Sequence, residues 1–86
     1  MMRIAVLLAA SAAALGSGTA QRALVRKLEH YQGFKSVTAN CHRHSAREQR
    51  CTWRGRRPDG AWRGRATVRR LKGGAIDVRI TSAHRA

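Results

Sequence analysis

Two predicted strands and the turn that joins them lie in CTWRGRRPDGAWRGRATV, residues 51–68. Apolar residues and glycines alternate there with polar residues, which is the period of a half-buried strand. The segment Arg57-Pro58-Asp59-Gly60 interrupts the alternation with residues that favour turns. An even loop pairs each tryptophan with a glycine of the other strand, so that an indole covers the space left by a missing side chain. The predicted pairs are Trp53 with Gly64 and Gly55 with Trp62.

The same period of two continues on both sides of this hairpin, over residues 37–41 before it and 76–80 after it. Lys72-Gly73-Gly74 supplies the turn before the last segment, and residues 44–49 are the loosest predicted connection. The consistent register places Cys41 opposite Cys51. Four such segments in succession predict a four-stranded antiparallel β-meander, with the last few residues fraying.

Residues 19–34 have the period of a helix. Leu24, Leu28 and Tyr31 recur at i, i+4 and i+7, and Gln32-Gly33 supplies a stop. The predicted fold class is therefore α+β, with an N-terminal helix packed on the four-stranded antiparallel meander in the order α-β-β-β-β. The predicted core comprises Leu24, Leu28, Tyr31, Val37, Ala39, Trp53, Trp62, Ala66, Val68, Ile76, Val78 and Ile80.

The start of the chain has the features of a secretory signal peptide. A basic start at Arg3 precedes the apolar run Ile4–Leu15, which is short for a bilayer span of about 20 residues. Gly18 and Ala20 fit the small-x-small pattern before a signal-peptidase cut. We predict cleavage after Ala20, and the alternative is an uncleaved N-terminal anchor.

The predicted domains are a cleaved signal peptide, residues 1–20, and a single small secreted α+β domain, residues 21–86. No membrane span is expected after cleavage. The predicted location is extracellular, or a periplasm-like space of the cell envelope. A domain of this size is marginal without a covalent staple.

Cys41 and Cys51 are the two cysteines of the chain. In an oxidising compartment such a pair normally forms a disulfide, which is the prediction here. A zinc site with His42 and His44 is the alternative, because all four are ligand types. Their spacing matches no common structural zinc pattern, and strand alternation separates the sulfurs from the imidazoles. We therefore predict no metal and no cofactor.

The charge is strongly positive, with 18 Lys and Arg against four acidic residues and a formal net charge of +14. Such a balance predicts attraction to polyanions. Fifteen of the 18 basic residues are arginine, so the alternative is the composition bias of a GC-rich genome.

Strand alternation places many arginines on the face of the sheet opposite the helix. The planar guanidinium binds phosphate and carboxylate bidentately, which makes this face a candidate for anion contact. An ordinary solvated sheet face is the alternative. The predicted anion-binding residues are Arg50, Arg54, Arg63, Arg65, Arg69 and Arg79.

No catalytic residue is predicted. The sequence has no paired carboxylates, nucleophile elbow, phosphate-binding glycine loop or metal motif. His42, His44, Glu48 and Arg50 are of the residue types that a small basic ribonuclease uses, which leaves that enzyme as a remote alternative.

The leading prediction is an exported, strongly basic, non-catalytic binding module. Its partner would be an anionic polymer or cell surface: a cell-wall polymer, nucleic acid or anionic lipid. Both tryptophans are assigned to the core, so nucleic acid would be bound through its backbone without sequence-specific recognition. The alternative is a protein-binding or inhibitor-like domain, since a helix on a small sheet resembles cystatin-like scaffolds.

The order of these features, from the export signal through the helix and Cys41 to Cys51-Thr52-Trp53, resembles small secreted single-disulfide proteins of high-GC Gram-positive bacteria. In those proteins a strand like Trp62–Val68 follows the cysteine hairpin. The resemblance covers residues 37–81. It implies the disulfide and the α+β layout, and it carries no site residues.

Overall fold

The computed structural model describes residues 14–86 and contains one helix followed by four strands. The strands form one antiparallel sheet in the order β1-β2-β3-β4, and the helix packs on it. The predicted α+β fold is confirmed. Residues 1–13, which hold most of the predicted signal peptide, lie outside the described residues. The elements are α1 (Ser17–Tyr31), β1 (Lys35–Ser45), β2 (Glu48–Arg57), β3 (Gly60–Arg70) and β4 (Ile76–Arg85).

The register of the sheet agrees with the predicted pairs. Cys41 lies opposite Cys51, and the two form a disulfide between β1 and β2. The pairs Trp53 with Gly64, Gly55 with Trp62, Ala66 with Ile80 and Val68 with Val78 are also present. Three irregularities interrupt the ladder: two on β1, between Lys35 and Thr38 and between Arg43 and Ser45, and one at Arg65–Ala66 on β3.

Helix α1 buries Ala20, Leu24 and Leu28 against the sheet. The Lys27 ammonium donates a hydrogen bond of 2.7 Å to the carbonyl of Val78, which ties the helix to β4. The predicted cleavage position after Ala20 falls within this helix, and cleavage there stays a prediction. Within residues 14–86, no helix is long and apolar enough to cross a membrane.

Tyr31 was predicted to be buried, and this is wrong because its side chain is 75% exposed. The helix ends at Tyr31, and Gly33 adopts a φ of 74°, a conformation that suits glycine. This turn brings Phe34 back beneath the helix, where its N–H donates to the carbonyl of Leu28 and its ring is 4% exposed. Phe34 therefore occupies the end of the core that the helical period assigned to Tyr31.

The two glycines of the hairpin are covered by different rings. A Cβ on Gly64 would lie 2.8 Å from the Trp53 indole, as the predicted pairing requires. A Cβ on Gly55 would meet Phe34 at 3.1 Å, so Phe34 and not Trp62 covers this glycine. Phe34 packs edge-on against Trp53, with ring centroids 5.0 Å apart. The prediction that an indole covers each glycine thus holds for one of the two.

The connection between β1 and β2 is a short turn and not the loose segment predicted for residues 44–49. Ser45 pairs directly with Glu48, and Gln49 is buried with 1% exposure. The chain before the helix packs against this turn: the N–H of Leu15 donates to the carbonyl of Ala46 at 2.9 Å. Leu15 is fully buried, although it was not predicted in the core.

Strand β4 differs from its prediction at both ends. Ile76 was predicted in the core, but it is 37% exposed because it begins the edge strand next to the β3–β4 turn. The end of the chain was predicted to fray, yet Ala83, His84 and Arg85 pair with β3. Strand β4 therefore extends beyond residues 76–80, which were predicted to form the last strand.

Candidate anion-binding face

The outer face is the surface of the sheet opposite helix α1, and its side chains form rows across the four strands. All six predicted anion-binding arginines lie on this face and are exposed. In order from β1 to β4, the rows are Thr38, Arg54, Arg63, His84; then Asn40, Thr52, Arg65, Ser82; then His42, Arg50, Thr67, Arg79; then Ser45, Glu48, Arg69, Asp77.

The two acidic residues of the outer face lie together at one end. Glu48 accepts from Arg50 at 3.4 Å and lies 3.5 Å from Arg69. Asp77 lies 3.8 Å from Arg79. Three of the six predicted arginines are therefore paired with carboxylates, which lowers the positive potential at this end. Exposed pairs of this kind stabilise a fold by only about 0–1 kcal/mol each.

At the other end of the outer face, the Arg and Lys side chains are not accompanied by Asp or Glu in the same rows. Arg54, Arg63 and Arg65 form no ion pair with any carboxylate of residues 14–86. Arg54 and Arg63 are direct cross-strand partners, and Arg65 follows two positions along the same side of β3. Three guanidinium groups thus share one end of the outer face, and none of them is within ion-pair distance of a carboxylate of residues 14–86.

These three arginines line an open groove of about 970 Å³ on the outer face. The groove also presents neutral hydrogen-bonding groups and one imidazole around the guanidinium groups. Its floor includes Ala39, Trp53 and Gly64. The remaining lining residues are Thr38, Asn40, Thr52, Thr81, Ser82 and His84.

The irregularity between β3 and β4 shapes one wall of the groove. Arg65 pairs with Ser82 and Ala66 with Ile80, so Thr81 is an extra residue on β4. A bulge of this kind bends the strand and increases its twist. Thr81 and the following serine consequently both line the groove, and the Ser82 hydroxyl accepts a hydrogen bond of 3.1 Å from the Arg65 N–H.

Sequence reasoning missed part of this site. Ser82 and His84 belong to the end of β4, which was predicted to fray. Thr52 and Arg56 could have been found, because both continue the alternation of β2 that identified Arg54. Arg56 is exposed one row beyond the groove.

Not every arginine near the sheet is available to a ligand. The guanidinium carbon of Arg57 lies 4.2 Å from the centre of the Phe34 ring, and its Nε donates to the carbonyl of Gln32 at 3.1 Å. Arg70 donates to the carbonyl of Gly74 at 3.0 Å. The guanidinium groups of Arg57 and Arg70 are thus engaged in contacts within the fold. In this they differ from the three arginines that line the groove.

The residues of the remote catalytic alternative lie at the acidic end. His44 Nε2 is 3.0 Å from Arg50 and 4.0 Å from Glu48, and His42 lies across the ladder from Arg50. These side chains are exposed or half-exposed and lie outside the groove. The cluster supplies an imidazole and a carboxylate, but the groove with its free guanidinium groups is at the other end of the sheet.

The disulfide bears directly on the zinc alternative. Zinc binds thiolate sulfur, and both sulfurs are joined in the Cys41–Cys51 bridge. Across the part of the chain that the structure describes, no three His, Cys, Asp or Glu side chains are grouped to hold a metal ion.

In comparisons with known proteins, the chain matches no protein-family model, no curated protein and no solved structure.

Proposed function

We propose that this protein is an exported, strongly basic, non-catalytic module that binds anionic polymers or surfaces through its Arg-rich sheet face. The observation that carries the proposal is the groove in which Arg54, Arg63 and Arg65 lie without a carboxylate partner from residues 14–86. Unpaired guanidinium groups that share a groove with hydroxyl donors suit phosphate, sulfate or carboxylate groups.

The distribution of charge supports this proposal more than the total charge does. A composition bias would scatter arginines without regard to the carboxylates. Here Glu48 and Asp77 occupy one end of the face and leave the groove end positive. A surface of one sign with concave walls concentrates the potential, and it attracts a polymer of the opposite sign more strongly than isolated charges do.

Contact with nucleic acid, if it is the polymer, would be made through phosphates. Trp53 is 2% exposed, so its ring is not available for base stacking. The groove offers no exposed Phe, Tyr or Trp side chain. We therefore expect binding without sequence preference and with a steep dependence on salt.

Export is the second part of the proposal. The Cys41–Cys51 disulfide fits an oxidising compartment, in which such bonds persist. The apolar start of the sequence with its small-residue cleavage pattern supports the same conclusion.

The test measures binding of the purified protein to heparin and to a short DNA duplex over a series of salt concentrations. The triple variant Arg54→Gln, Arg63→Gln, Arg65→Gln removes the groove charges. Its matched control removes three exposed arginines from other surfaces: Arg26→Gln, Arg43→Gln, Arg47→Gln. Both variants have the same net charge, so a difference in their affinities shows that the position of the removed arginines matters.

The groove variant is expected to lose most of its affinity, and the control to keep most of it. For duplex DNA, the slope of log K against log salt should fall by up to about 2.7, since each phosphate contact contributes about 0.9. Equal losses in the two variants would show that only total charge matters. Absence of salt-sensitive binding in the unmodified protein would overturn the proposal, and capture of a protein that resists high salt would favour the inhibitor-like alternative.

A further inference from the structure

The folded domain begins before the predicted cleavage position. Leu15 is fully buried, and its backbone polar groups form hydrogen bonds with the β1–β2 turn and with β2. Its N–H donates to the carbonyl of Ala46 at 2.9 Å, and its carbonyl accepts from Gln49 Nε2 at 3.0 Å. Ala20 is fully buried as well. Leu15 and the first turn of α1 are thus built into the core.

Cleavage after Ala20 would remove all of these contacts. The product would lack a buried leucine, a buried alanine and the first turn of the helix. Gln49, at 1% exposure, would lose the partner of its Nε2, and its Oε1 already has none within residues 14–86. A domain of this size has little core to spare, and a buried amide without partners is destabilising.

Burial does not protect the peptide bond after Ala20, because export precedes folding. The buried contacts determine instead which cleavage product can fold. A product that keeps Leu15 retains the whole described core, whereas a product that starts at Gln21 does not.

A second small-x-small pattern lies just before Leu15. Ala12 and Ala14 stand at the positions that signal peptidase requires to be small, with Ala13 between them. The seven apolar residues Ile4–Ala10 precede this pattern, which meets the lower limit for the hydrophobic segment of a signal peptide. The resulting signal of 14 residues is one residue shorter than the usual range of about 15–30.

We propose that the export signal is cut between Ala14 and Leu15, so that Leu15 is the first residue of the mature protein. This inference rests on the export part of the proposed function and not on anion binding. Signal peptidase hydrolyses the Ala14–Leu15 peptide bond with one water, which leaves a carboxylate on Ala14 and an amino group on Leu15.

The new amino terminus can keep the hydrogen bond that the Leu15 N–H makes in the structure. An ammonium group on Leu15 retains a donor for the carbonyl of Ala46 and gains two further N–H donors. It also stays on the residue whose carbonyl accepts from Gln49 Nε2 at 3.0 Å. Ala14 is exposed, and its removal takes no side chain out of the core.

The first experiment expresses the full chain in a bacterium, separates the cell contents from the exported fraction, and determines the intact mass and the N-terminal sequence of any exported protein. We expect a single species that starts at Leu15. An exported protein that starts at Gln21 or retains Met1 overturns this inference and leaves export intact. A chain that stays inside the cell overturns export and this cleavage with it, while heparin binding of the purified protein is judged separately.

Two variants locate the cut. Ala14→Leu should abolish the species that starts at Leu15, because the residue before the cut must be small. Gly18→Glu alters the rival pattern at an exposed position with room for a side chain, and it should leave processing unchanged. Loss of cleavage in Gly18→Glu would overturn the proposal.

A folding measurement completes the test. The forms Leu15–Ala86 and Gln21–Ala86 are purified with the disulfide intact and unfolded in urea. The longer form should show a cooperative transition, and the shorter form should unfold at a lower urea concentration or show no transition. Equal midpoints would contradict the argument from the core.

Discussion

Arg54 on β2 and Arg63 on β3 are direct cross-strand partners, and neither forms an ion pair with a carboxylate of residues 14–86. Like charges that face each other on a sheet destabilise it. The strands are held in this register from the inner side, where the Trp53 indole covers Gly64. The groove therefore carries a local electrostatic cost that a bound anion would relieve.

This relationship predicts that Arg63→Thr raises the stability of the unliganded protein. The substitution removes the repulsion from Arg54 and places a β-branched residue in a strand. At low ionic strength we expect the free energy of unfolding to rise by about 0.2–1 kcal/mol. Urea denaturation at about 10 mM and about 1 M salt measures it, and the gain should shrink at high salt because charges are then screened within about 3 Å.

Arg43→Thr is the matched control for this measurement. Arg43 is an exposed arginine of β1 that lies opposite the buried Gln49, away from the outer face. It reports the effect of the same substitution in a strand without the facing arginine. A salt-independent gain of equal size in both variants would show that the Arg54–Arg63 repulsion contributes nothing.

The Cys41–Cys51 bridge predicts a loss of stability when it is removed. Ten positions separate the two cysteines, and a loop of this length corresponds to about 2–3 kcal/mol in the chain-entropy description. The double variant Cys41→Ala, Cys51→Ala avoids burying free thiols, and its midpoint in urea should fall accordingly. The urea midpoint of the unmodified protein should fall by a similar amount after treatment with a reductant. A double variant as stable as the oxidised protein would refute the stabilising role of the bridge.

The register of the sheet could be predicted because two independent signals agree on it. The period of two assigns Trp53 and Gly64 to the same face, and the size of the indole requires a glycine opposite. No such second signal existed for the helix. Tyr31 continues the helical period, but the positive φ at Gly33 ends the helix and directs Phe34 into the core instead.

The candidate site was predicted in outline and not in detail. Alternation alone places all six arginines on the outer face. Their division into paired and unpaired groups depends on which rows hold Glu48 and Asp77, and hence on the register across three strands. The contribution of Ser82 depends on the bulge at Thr81, which no feature of the sequence marks.

Phe34→Ala and Tyr31→Ala should differ widely in their effect on the free energy of unfolding, although the two residues are only three positions apart. Phe34 is buried and contacts two indoles, so its loss should cost about 3–5 kcal/mol. Tyr31 is 75% exposed, and its loss should change the free energy of unfolding by less than about 0.5 kcal/mol. Urea denaturation of both variants checks this. A large loss for Tyr31→Ala would restore the original core assignment.

Three glycines differ in the space that a Cβ would find, and they allow a graded test of packing. A Cβ on Gly64 would collide with the carbonyl of Ser82 and lie 2.8 Å from the Trp53 indole, so backbone must move. A Cβ on Gly55 would meet the Phe34 ring at 3.1 Å, and that ring can shift by a few tenths of an ångström. Gly18 is exposed on the helix and meets only the end of Arg22 at 3.6 Å.

We therefore expect Gly64→Ala to destabilise the protein by about 1–3 kcal/mol, the range for overpacking a filled site. Gly55→Ala should have a smaller effect, and Gly18→Ala should stabilise by up to about 1 kcal/mol because alanine restricts the unfolded chain. Urea midpoints give the order, and tryptophan fluorescence reports whether Trp53 is displaced. Gly64 and Trp53 also belong to the groove floor, so Gly64→Ala should weaken heparin binding as well. An unaltered affinity for heparin would place the ligand elsewhere on the outer face.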